Sequence, residues 1–165
     1  VAESGARGET IYSSLPTEAE LHLRIERFHA PYHAELKRLL EGKIERFGKV
    51  YLLDLHSFGM PIGAQVCLGN GEGSTCSLEW MGRVHSCLLE EGLSVVQNLP
   101  FKGGYTVRHY GGSPQVEAVL LELNYEVYLE KYTLEGDFMP LVSADKFNVA
   151  QNRLERVFRN LSQVT

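Results

Sequence analysis

Cysteine is scarce: the 165 residues contain three, Cys67, Cys76 and Cys87, nine and eleven positions apart. An odd count at those spacings fits neither a disulfide framework, a zinc knuckle nor a CxxC redox pair, and reads as reduced thiols packed in a core. Long apolar runs are absent too. Nothing approaches the roughly 20 residues of a membrane helix, and the opening VAESGARGET lacks the basic and apolar regions of a signal peptide, so a soluble, cytoplasmic chain is expected. Positive charge is in deficit, with 16 Lys+Arg against 21 Asp+Glu and a formal charge of −5. No general attraction to nucleic-acid phosphates or anionic lipid follows, and no basic patch supplies a local one. The phosphate-binding GxxxxGK[ST] loop and the GxSxG nucleophile elbow are both missing, and Gly69-Asn70-Gly71-Glu72-Gly73 does not fit GxGxxG.

With 44% hydrophobic and 22% charged residues, the composition excludes disordered, collagen-like and coiled-coil classes and suits one domain spanning residues 1–165. From Thr17 to Phe47, apolar residues at Leu21, Ile25, Phe28, Tyr32, Leu36, Leu39, Leu40, Ile44 and Phe47 recur at steps of three and four. This predicts a long helix, kinked at Pro31 or divided there, closed by Gly48. Val50–Leu55 reads as a strand covered on both faces and ending at His56-Ser57. Phe58–Cys76 reads as loop, and Ser77 caps a helix that stops at Gly92. Further strands are predicted at Ser94–Asn98, Tyr105–Tyr110 and Glu117–Leu123, with a last helix over Ala144–Leu161. Strands separated by helices indicate an α/β domain with a mixed, largely parallel sheet flanked by helices. Such sheets bind ligands beyond the carboxyl ends of their strands.

Three residues in such places carry candidate chemistry. His56 follows a buried-type strand, with Asp54 two residues earlier. It suits a metal ligand or a general base with a carboxylate to fix its tautomer, or equally a half-buried imidazole satisfied by a carbonyl. Glu122 lies inside the apolar run Val119–Asn124. It either faces water from an edge strand or is desolvated, with a raised pKa suited to proton transfer. Arg108 ends a predicted strand between glycine-containing loops, where it could clamp a carboxylate, steady an oxyanion or simply pair with a surface acid. His29 and His33 share a helical face at zinc-compatible spacing, but the glutamate of HExxH is absent.

Asp54-Leu55-His56-Ser57, Leu68-Gly69 with Gly73-Ser74, Asn98 through Gly111 (NLPFKGGYTVRHYG) and Leu121-Glu122-Leu123-Asn124 occur in an order and spacing that resemble the N-formylglutamate amidohydrolase family. Pro31-Tyr32-His33 on the upstream helix agrees, so the resemblance spans roughly Ile11 to Leu129. It implies a zinc exopeptidase-like α/β sandwich that hydrolyses an N-formyl or N-acyl amino acid, as in one route of histidine degradation. By that likeness His56 is a Zn2+ ligand, Glu122 the proton-handling carboxylate and Arg108 a substrate or oxyanion contact. The family's Pro-His-x-Gly and Asp-x-Asn-Arg motifs are not found here, so the resemblance implies an incomplete N-terminal portion. Tyr125 stands where many relatives have Arg. A small-molecule substrate is the expected partner. Two alternatives are a non-catalytic binding or scaffold remnant and a metallohydrolase acting on a peptide or cell-wall amide.

Overall fold

The computed structural model describes residues 9–132 and 141–163; most of the N-terminal stretch read as loop lies outside them. The chain divides into two compact units, Val1–Gly48 and Lys49–Thr165.

The first unit is helical. Thr17 opens helix α1 (Glu18–Arg24) with a reciprocal capping box: its hydroxyl accepts the Glu20 amide while Glu20 accepts the Thr17 amide. A single π-turn over Ile25–His29 leads into helix α2 (Ala30–Phe47), which carries Pro31 in its first turn. Proline has no N–H and crowds the carbonyl four residues back, and the helix widens just ahead of it, the Ala30 N–H reaching the Ile25 carbonyl. Gly48 ends α2 at φ 77°, a conformation that favours glycine. The helical phase is therefore as predicted, but of the nine apolar positions in the stripe only Leu40 is buried. His29 and His33 lie with ring centroids 4.2 Å apart.

The second unit is a four-stranded sheet in the order β1-β4-β2-β3, formed by β1 (Val50–Phe58), β2 (Val66–Gly69), β3 (Val95–Gln97) and β4 (Val116–Asn124). β1 runs parallel to β4 and β2 parallel to β3, while β2 and β4 are antiparallel. The sheet is thus mixed and mostly parallel, the α/β class expected. Every residue of β4 is buried. On one face, helices α3 (Leu78–Glu90) and α5 (Ala144–Ser162) pack over Val66, Leu68, Val119, Leu121 and Leu123 through Trp80, Met81, Val84, Leu88, Val157 and Leu161. Ser77 and Ser143 cap these helices, as their positions ahead of the apolar periods require. The other face holds a smaller cluster of Ala118, Leu120, Leu52 and Phe101 beneath Val107 of helix α4 (Tyr105–Tyr110).

Three elements differ from the sequence reading. Tyr105–Tyr110 is helix α4, not a strand. Tyr, Thr and Val favour strands, and six residues do not separate period 2 from period 3.6, whereas insertion of Val107 into the core selects the helical turn. Phe58–Cys76 is not all loop, because Val66–Gly69 forms β2; four residues are too few to show a period. β1 extends to Phe58 and lies at the edge of the described sheet, with Leu55 56% exposed, so its apolar run is not covered on both faces. All three cysteines are buried and unpaired, and burial pushes their thiol pKa values up.

Two loops cross the ends of β2 and β3 in backbone contact. A Cβ added to Gly69 would lie 2.7–2.8 Å from the Gly103 nitrogen, the Lys102 carbonyl carbon and the Phe101 oxygen. Backbone cannot yield as a flexible side chain would. Gly69→Ala is therefore expected to lower the unfolding free energy by about 1–3 kcal/mol through overpacking. Gly82→Ala, on an exposed turn of α3 with nothing near the new methyl, should be neutral or stabilise by up to about 1 kcal/mol. Denaturant unfolding of the two variants checks the contrast.

Candidate active site

β1 and β4 run side by side toward the same end, and their register sets His56 opposite Glu122. On the other side of β4, Cys67 of β2 stands opposite the same glutamate. Alternation along a strand puts Asp54 on the His56 face, and its Oδ1 lies 3.1 Å from His56 Nε2. The Asp54 side chain is 15% exposed and that of His56 50%, so the carboxylate can orient an imidazole that still reaches solvent.

Glu122 is 9% exposed. Burial pushes its carboxyl above the usual carboxylate range; the neighbouring His56 works against that rise and Asp54 adds to it. A cavity of about 400 Å³ opens over this row, lined by His56, Glu122, Leu120, the Pro100–Gly104 segment and Arg108. Arg108 belongs to α4 rather than to a strand end, and its Nε donates to the Gly103 carbonyl at 2.9 Å, with Nη2 on the same oxygen. A guanidinium carries five N–H donors, so one carbonyl leaves it capacity for an anion in the cavity. The three sequence-predicted site residues thus meet in one cavity, all within the second unit.

Two contributors were not singled out from sequence. Lys102 lines the cavity and pairs with Glu72 at 2.8 Å. Asn98 holds the loop that forms the cavity wall. Both lie in the NLPFKGG segment, where a lysine and an asparagine set among turn residues were the available signal.

Zinc, implied by the family resemblance, needs about three protein ligands and an open position when catalytic. Among the described residues no three His, Cys, Asp or Glu side chains gather as a metal site. His56 with Asp54 makes one imidazole and its orienting carboxylate, so this donor set does not by itself fit a zinc centre. Among the described residues, no helix is long and apolar enough to cross a membrane.

Comparison with known proteins agrees with this architecture. Residues 1–129 match the sequence model of the N-formylglutamate amidohydrolase family. The chain is 33% identical over 135 residues to an N-formylglutamate deformylase of Pseudomonas putida, covering 75% of this chain and 51% of that protein. It is 30% identical over 147 residues to the enzyme of the same name from Pseudomonas aeruginosa, covering 79% and 55%. The crystal structure of N-formylglutamate amidohydrolase from Ralstonia eutropha superposes with a TM-score of 0.77 at 28% identity, over 94% of this chain and 58% of that one. A gene product of Agrobacterium tumefaciens shares the fold at a TM-score of 0.67 and 15% identity, over 99% and 61%. The domain is an α/β hydrolytic-enzyme relative with its polar cavity over the carboxyl ends of β1 and β4. The chain belongs to the N-formylglutamate amidohydrolase family, and it spans about half the length of the curated relatives it matches.

The raised pKa of Glu122 makes stability depend on pH in a stated direction. The folded state favours the neutral carboxyl, so its contribution is complete below the ordinary value of about 4.3 and is lost as pH rises through the raised one. Glu122→Gln has no such loss. Its unfolding free energy relative to the parent should therefore rise between about pH 4 and about pH 8. Denaturant titrations at both pH values check this, and a difference that stays constant or shrinks would contradict it.

Proposed function

We propose that this chain builds the proton-transfer and substrate-holding part of an amidohydrolase site whose substrate is N-formylglutamate or a close N-acyl amino acid. The observation that carries the reading is the desolvated Glu122, set beside His56 and sharing one cavity with Arg108. A carboxylate whose pKa is raised takes a proton from the attacking water, becomes the neutral acid and hands that proton to the departing amine nitrogen. Water oxygen adds to the formyl carbon, the C–N bond breaks, and formate and the free amino acid leave. Arg108 holds a substrate carboxylate through the donors that Gly103 does not use. His56, steadied by Asp54, would offer a zinc ion one imidazole. Zinc would supply an acidified water and a polarised acyl oxygen. Names of the relatives support the substrate class, and the net negative charge of the chain suits a small-molecule partner better than nucleic acid.

Steady-state hydrolysis of N-formylglutamate tests the reading. Glu122→Gln should cut kcat by about 100-fold or more with KM little changed, as removal of a general base does. Arg108→Ala should act mainly on KM, raising it about tenfold or more through the lost charge-assisted contact. Glu122→Gln with unchanged kcat would remove this carboxylate from the reaction. Preferential turnover of a peptide or cell-wall amide would move the family scaffold to another substrate.

A further inference from the structure

Asn98 follows β3 directly with φ 56°, in the left-handed region that asparagine tolerates better than most residues. Its carboxamide bonds mainly to Asn70. Oδ1 accepts the Asn70 amide at 3.0 Å and lies 3.4 Å from that of Glu72, while Nδ2 donates to Asn70 Oδ1 at 2.9 Å. Asn70 is 3% exposed. Its side-chain oxygen also accepts the Gly73 amide, and its carbonyl accepts those of Gly73, Ser74 and Thr75, so the partner of the clamp is itself immobilised. The Asn98 amide donates to the Leu68 carbonyl at 2.7 Å. The direction in which the chain leaves β3 is thereby fixed, and five residues later the Gly103 carbonyl receives the Arg108 guanidinium.

We propose that Asn98 is a positioning residue for Arg108: its left-handed backbone and its reciprocal clamp on Asn70 hold the Asn98–Gly104 segment where the Gly103 carbonyl orients the guanidinium toward the cavity. Other tethers hold the middle of the segment. The Cys67 thiol lies 3.4 and 3.5 Å from the Leu99 and Phe101 carbonyls, the Gly71 amide donates to Lys102 at 2.6 Å, and the Phe101 ring meets Phe58 edge-on at 5.2 Å. Because of these the fold should outlast loss of the clamp, while the aim of Arg108 should not. The assignment rests on the reading of Arg108 as a substrate contact, so its test includes a measurement that needs no substrate.

Asn98→Gly keeps the left-handed backbone and deletes the clamp; Asn98→Asp keeps the shape and replaces the amide donor with an oxygen facing Asn70 Oδ1. In the full chain, NMR exchange of the Arg108 Nε proton should quicken at least tenfold in both variants, while the Leu121 amide stays protected. KM for N-formylglutamate should rise about tenfold with kcat within threefold, and Asn98→Gly should add nothing in an Arg108→Ala background. An unchanged Arg108 exchange rate in a folded variant, or effects of Asn98→Gly and Arg108→Ala that multiply, would overturn the assignment. If Arg108→Ala itself leaves turnover and KM untouched, the functional reading fails. The exchange rate still decides whether Asn98 positions the guanidinium.

Discussion

The contact of two backbones, Gly69 against Phe101–Gly103, is the constraint on which the cavity depends. It lets the loop after β2 and the loop after β3 lie on one another without side chains between them, with the Gly71 amide bonded to the Lys102 carbonyl. Gly103 is at φ 119° with its Cα against Val107, which seats α4 on Ala118 and Leu120. Gly111 continues the arrangement, since a Cβ there would lie 2.6 Å from the Thr75 and Val107 carbonyl oxygens. Thr75 in turn completes the edge of β4 beyond the end of β2: its carbonyl accepts the Ala118 amide and its hydroxyl donates to the Ala118 carbonyl. Glycine here permits close approach, and the approach brings Arg108 and Glu122 to the lining of one cavity.

The central strand carries two buried carboxylates with opposite fates. Glu117, at the start of β4, pairs with Lys49 and accepts the Ser77 amide at 2.9 Å and the Ser77 hydroxyl. Burial alone would push its pKa up, but these partners outweigh burial and hold it below the usual range. It joins the start of β1 to the cap of α3, a structural task. Glu122, five residues on and on the opposite face, has no comparable cation bonded to it among the described residues, and burial prevails. One strand thereby carries a structural carboxylate of lowered pKa at one end and a carboxylate of raised pKa at the other, and environments that push apart the pKa values of like groups are a mark of acid–base sites.

What the sequence made legible was local. The capped helices at Ser77 and Ser143, the helical phase of residues 17–47 and the strand ending near His56 each follow from a cap or a period within a few turns of chain. Asp54 and His56 could be brought together because two residues along a strand share a face. Glu122 was conspicuous as an acid in an apolar run, but sequence left open whether it faced water; burial of all nine residues of β4 decides that. Arg108 stands out in the sequence between two glycine-containing loops, at the end of a predicted strand; the segment is helical instead, because six residues take their conformation from the core that Val107 enters. The Asn70–Asn98 clamp joins residues 28 apart and could not be read from either neighbourhood. The apolar stripe of the first unit shows the same limit in reverse: period reports helix, and burial depends on what lies beside it.

The claim most open to direct attack is that desolvation raises the carboxyl pKa of Glu122 while the partners of Glu117 hold its own below the ordinary value. Carboxyl-carbon NMR titration of the two glutamates, assigned by Glu122→Gln and Glu117→Gln, measures both midpoints in one sample. Glu122 is expected to titrate above, and Glu117 below, the ordinary glutamate value of about 4.3. A Glu122 midpoint at or below that value would contradict the assignment of this residue as the proton carrier of the site.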